Sequence, residues 1–107
     1  DRQGKLRKES QFILGIPARE MKAADSNELV LIQGIIDAWF EERDGLVIVD
    51  YKTDRVKEGE EQTLLDHYQV QLQYYARALS QITGKRVKEA VIYSLTIQKE
   101  INVPIGQ

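Results

Sequence analysis

Polar and charged residues fill positions 1–10, which read as a lead-in to the first apolar run. Gln11–Ile16 (QFILGI) is apolar enough for a strand, and Pro17 ends it. The polar stretch Lys22–Asn27 reads as a loop. Two runs rich in β-branched and aromatic residues follow, Glu28–Phe40 (ELVLIQGIIDAWF) and Leu46–Lys52 (LVIVDYK). Arg43-Asp44-Gly45 between them is a hairpin signal.

The period changes after Gly59. Gly59–Thr63 is acidic and polar, as a helix entrance should be, and Leu64, Tyr68, Leu72, Tyr75, Leu79 and Ile82 recur at helical spacing, with Gly84 as the stop. A helix over 61–83 would run about 35 Å at 1.5 Å per residue, so it must lie across a sheet. Val87–Ile97 (VKEAVIYSLTI) predicts a last strand, with Glu100–Val103 as its continuation or a short tail. The expected fold class is α/β: a mixed sheet with a long β-hairpin, followed by a helix and a further strand, in a single domain over 1–107.

The 107 residues include 15 Lys plus Arg, 17 Asp plus Glu, one His and no Cys. A chain of this length has surface enough for one core. The absence of Cys excludes disulfides, Cys-ligated zinc and thiol catalysis. A net charge of -2 argues against nucleic-acid capture by bulk electrostatics, so any phosphate contact is local or metal-mediated. No apolar run approaches the roughly 20 residues of a spanning helix. The chain opens on Asp1 without a signal-peptide pattern and reads as an excised, N-terminally truncated segment.

Against this background two acids and a lysine stand out, because they interrupt apolar strands: Asp37 in GIIDAWF, and Asp50 and Lys52 in VIVDYKTD. Residues two apart in a strand share a face, so Asp50 and Lys52 point the same way. If Asp44-Gly45 forms the two-residue turn, Arg43 faces Leu46 and Asp37 lies opposite Lys52 with Asp50 on the diagonal. Two converging carboxylates repel unless a cation lies between them, and oxygen ligands suit Mg²⁺ or Mn²⁺. Lys52 can hold an anionic oxygen or orient a water. Two acids, a lysine and a hard metal point to phosphodiester hydrolysis.

On the helix, Gln71 and Tyr75 stack on one stripe and present an amide and a phenol together, toward a substrate phosphate or toward Lys52. His67 begins the stripe and, as a lone His, reads as surface. The competing structural readings are an Asp37–Lys52 cross-strand ion pair, which leaves Asp50 unexplained, and Tyr75 as core packing. Asp54 reads as loop, positioned to hold Lys52, and Trp39 as core or cleft wall.

Gly34-Ile-Ile-Asp37, a hairpin, Asp50-Tyr-Lys52-Thr-Asp54 and Gln71-Leu-Gln-Tyr-Tyr75, in this order, resemble the RecB-like branch of the PD-(D/E)xK nuclease superfamily, and within it the C-terminal nuclease domains of AddA-type helicase-nucleases. The resemblance implies a restriction-endonuclease-like core whose first helix is absent from this segment. It further implies Asp37 and Asp50 as metal ligands with the Tyr51 backbone carbonyl as a third, Lys52 as catalytic, and Gln71 and Tyr75 as support for the phosphate and the lysine. Also implied are Mg²⁺ (Mn²⁺ as an alternative), DNA as substrate and exonucleolytic cleavage in double-strand-break repair. The motor would lie in a helicase region of the same full-length chain, an AddB-type protein would be the partner, and the bacterial cytoplasm the location. The family's further His or Glu ligand has no clear counterpart in Glu9 or Glu20, which flank the first strand. The alternative reading is an inactive nuclease-like module for DNA binding or scaffolding.

Overall fold

A computed structural model describes residues 6–21 and 28–105. Its elements are β1 (Arg7–Pro17), a 3-10 turn (Ala18–Met21), β2 (Leu29–Glu42), β3 (Gly45–Lys52), α1 (Glu61–Thr83), β4 (Val87–Ser94) and β5 (Lys99–Val103). The sheet order is β1-β2-β3-β4-β5. β3 and β4 are parallel and every other pair is antiparallel. Parallel neighbours need a long crossover, and α1 supplies it. No helix among the described residues is long and apolar enough to cross a membrane.

The helix matches the periodicity, and Gly84 ends it in the left-handed region (φ 71°) with its N–H donating to Ser80 O at 2.9 Å. Leu64, Leu72 and Leu79 drive into the sheet, where they meet Leu46, Ile48, Val87 and Ile92. Burial of each such side chain is worth about 1.5 to 3 kcal/mol. Ala76 and Ala78 complete the buried stripe, whereas Ile82, expected on it, is 62% exposed.

Two boundaries differ from expectation. β1 starts at Arg7, so the polar residues 7–10 are strand; the loop Lys22–Asn27 and the first five residues lie outside the described residues. The predicted strand 87–97 breaks after Ser94, and the chain returns as β5 antiparallel to β4. The break is held from outside the strand: Leu95 N donates to Lys52 O (2.9 Å) and Thr96 Oγ1 to Asp54 O (3.0 Å). Gln98 adopts a positive φ of 55° at the return.

β2 changes face along its length. Ile36 belongs to the core cluster under α1 and Ile32 packs on it, but beyond them it is Trp39 that packs there, while Ala38 and Phe40 are buried outside that cluster. The switch falls at Asp37. Across from it, Glu9 takes φ 53°, and pairing holds on either side through Lys8–Ala38 and Ser10–Ile36. Trp39 Nε1 donates to Ser10 Oγ at 3.0 Å, fixing the new phase.

Candidate active site

The β2–β3 hairpin positions the acids, and its turn is one residue earlier than the Asp44-Gly45 signal suggests. Glu42 pairs with Gly45, leaving Arg43 and Asp44 as the loop. A Cβ on Gly45 would lie 3.0 Å from both Arg86 O and Lys88 Cβ, so this glycine serves the entry of β4. Lys88 closes the corner with Glu42 (2.7 Å) and Asp44 (2.6 Å). The ladder then runs to Ala38–Val49, and its next step brings Asp37 opposite Asp50 in place of Lys52. There the regular ladder gives way, and Asp37 Oδ2 accepts the Tyr51 N–H at 3.0 Å.

Asp50 is 3% exposed. Burial pushes its carboxyl up to about 6, with Lys52 opposing the rise and the neighbouring Asp37 carboxyl adding to it. Lys52 Nζ stands 2.8 Å from the buried Asp50 Oδ2 as an ion pair. The ammonium donates to Gln71 Oε1 at 3.2 Å and lies 4.0 Å over the Tyr68 ring. Tyr75 is half-buried, edge-on to Phe12 with centroids 5.2 Å apart. Burial, then the charges of Asp50 and Asp37, hold its hydroxyl above the ordinary range. Asp37, Asp50, Lys52 and Gln71 converge at the carboxyl end of β3 beneath α1, with Tyr75 one helical turn beyond Gln71. In open α/β sheets that end is the usual ligand crevice.

The superfamily model for PD-(D/E)XK nucleases matches residues 3–104. The chain belongs to the PD-(D/E)XK nuclease superfamily. Similar AddA proteins, which bear the name ATP-dependent helicase/nuclease, occur in Lachnoclostridium phytofermentans (40% identity over 94% of this chain and 10% of that protein) and Clostridium novyi (43% over 92% and 8%). A third, in Acetivibrio thermocellus, is 46% identical over 82% of this chain and 7% of its own length. The chain thus spans a tenth or less of these relatives. The crystal structure of SSO0001 superposes with a TM-score of 0.65 at 18% identity, over 95% of this chain and 43% of the other, a likeness of fold.

Within this PD-(D/E)XK domain, the donor set for a cation is short. Among the described residues no group of three His, Cys, Asp or Glu side chains is placed to hold a metal. Glu20 pairs with Arg77 at 3.0 Å, and Glu9 is exposed. His67 is exposed too, tilted on Tyr68 at 6.0 Å. Trp39 is partly buried against the core, with the Arg7 guanidinium over its ring at 5.2 Å. Asp54 does not hold Lys52 directly; its two oxygens accept the Tyr68 hydroxyl at 3.1 and 2.8 Å. The sequence pattern assigns Tyr68 to the core. Its three-residue spacing from Gln71 is the signal that could have placed it at the site.

Proposed function

We propose that this domain hydrolyses DNA phosphodiester bonds as the exonuclease module of a bacterial AddAB/RecBCD-type helicase-nuclease in double-strand-break repair. The carrying observation is the buried Asp50 carboxylate, beside the Asp37 carboxyl that helps push its titration up and paired with the Lys52 ammonium at 2.8 Å. That donor set fits a hard divalent cation, Mg²⁺ with Mn²⁺ as the alternative, held by Asp37, Asp50 and the Tyr51 backbone carbonyl. When bound, such an ion supplies charge neutralisation at the phosphate and a water of lowered pKa.

The side chains do the rest. Lys52, free to exchange its contact with Asp50 for one with substrate, stabilises negative charge that develops on a phosphate oxygen. Gln71 holds that ammonium through its carbonyl, leaving its amide N–H groups to donate. The Tyr75 hydroxyl, with no hydrogen-bond partner among the described residues, is a second donor toward the same phosphate. The net charge of -2 supports delivery of the strand by a helicase region of the same full-length chain, with an AddB-type protein as partner and the cytoplasm as location.

A second reading, an inactive module for DNA binding or scaffolding, is favoured by the two-carboxylate donor set. One substitution in the full-length protein separates the two. Lys52→Ala lowers Mg²⁺-dependent cleavage by about 100-fold or more while ATP-driven unwinding persists. Cleavage equal to wild type would retire the nuclease reading of Lys52.

A further inference from the structure

We infer that Tyr68, tethered by Asp54, is a positioning residue for Lys52, its ring face fixing the ammonium between β3 and α1. The inference deepens the nuclease reading and rests on it for what the ammonium does, but its geometry stands alone. Lys52 Nζ already pairs with the buried Asp50 Oδ2 at 2.8 Å, and an ammonium on a flexible stem needs further contacts to hold it in one place. Two groups from α1 supply them: Gln71 Oε1 at 3.2 Å and the Tyr68 ring at 4.0 Å. A cation over a phenol face is attracted by the ring quadrupole, and the attraction grows as water is removed. The Lys52 side chain is 17% exposed.

The ring is seated by packing against the core cluster, and a tether on its hydroxyl adds to that seat. Its hydroxyl donates to both Asp54 oxygens, at 2.8 and 3.1 Å. That bond keeps the phenol protonated, its titration pushed upward by Asp54 first and burial second. Donation to a carboxylate also enriches the ring in electron density, strengthening its pull on the cation. Asp54 is itself fixed, because the loop after β3 is stitched to the end of β4 by Thr96 Oγ1 to Asp54 O and Leu95 N to Lys52 O. The path runs from the β4 turn through Asp54 and Tyr68 to Lys52, and Gln71 stands three residues along α1 on the same side.

The test compares Tyr68→Leu, which removes the ring, with Tyr68→Phe, which keeps it, in the full-length protein. Acetic anhydride labelling read by mass spectrometry on the Lys52 peptide reports how tightly the ammonium is held, whether or not the protein cleaves DNA. Tyr68→Leu should raise Lys52 acetylation about tenfold, with Tyr68→Phe within about threefold of wild type. On DNA, Tyr68→Leu should lower kcat about tenfold with KM within about twofold, and Tyr68→Phe should recover most of the loss. Wild-type acetylation in Tyr68→Leu overturns the inference. So does Tyr68→Phe behaving like Tyr68→Leu, since the fold or the hydroxyl would then be responsible. If the wild-type protein cleaves nothing while the labelling pattern holds, the nuclease reading fails and the positioning role stands.

Discussion

Burial holds Asp50 at about 6 against an ordinary 3.8, the Lys52 ammonium opposing the rise and the Asp37 carboxyl adding to it. Between those two values the folded chain binds more protons than the unfolded one, so unfolding free energy falls as pH rises through this window. Below the lower value both states are protonated and no penalty remains. Asp50→Asn removes the penalty. In EDTA at about pH 7.5 the variant should be the more stable by on the order of 2 to 3 kcal/mol, with the gap closing toward about pH 4. Thermal melts across pH measure it, and a gap that widens on acidification contradicts the raised carboxyl. Mg²⁺ should raise the wild-type melt and leave the variant unmoved. Asp37, Asp50 and Lys52 can be read from sequence because each charge interrupts an apolar run. Tyr68 is less legible, since an aromatic at helical spacing carries the same pattern whether it packs or steers a cation, and only its three-residue spacing from Gln71 points to the site.

The hairpin shows where local chemistry misleads. Asp44-Gly45 has the composition of a two-residue turn, yet Gly45 is needed in the strand because Arg86 O and Lys88 Cβ would meet any Cβ there at 3.0 Å. That approach comes from β4, some forty residues on, and no local pattern encodes it. The broken last strand has the same kind of cause, a turn held by Asp54 and Lys52. α1 is readable to the residue because its period and its Gly84 stop are both local. Gly34, by contrast, seats α1 on the sheet beside the site. A Cβ there would fall 2.8 Å from Phe12 Cζ, 2.9 Å from Phe12 Cε1 and 3.1 Å from Tyr75 Cε1. Phe12 is 5% exposed and belongs to the core cluster, so moving its ring disturbs the packing under α1. Gly34→Ala should cost about 1 to 3 kcal/mol, several degrees of melting temperature, and should slow cleavage by displacing Tyr75 from the acids. Adding Phe12→Leu should return part of both losses; a Gly34→Ala melt equal to wild type would show that the rings yield without cost.

Across the whole molecule, the sheet is covered unevenly. α1 lies on one side, but the other side of the β1–β2 ribbon exposes Ile13 (64%), Leu29 (63%), Leu31 (63%) and Ile35 (48%). The register sets Gln11 against Ile35, Ile13 against Gln33, Gly15 against Leu31 and Pro17 against Leu29, so these four side chains share one face. β1 is also a terminal strand of the sheet, 11 residues long, among the described residues. An apolar patch next to a long open edge favours self-association. The 107-residue chain alone should therefore scatter light increasingly with concentration. Ile13→Lys with Leu31→Glu breaks the patch with a diagonal pair of opposite charges, a favourable cross-strand arrangement. Both positions are exposed, so the double substitution should change stability by no more than about 0.5 kcal/mol while lowering the scattering. If the double variant scatters as strongly as wild type at an unchanged melting temperature, association runs through the open edge of β1, where backbone N–H and C=O groups would pair whatever side chains lie on the face.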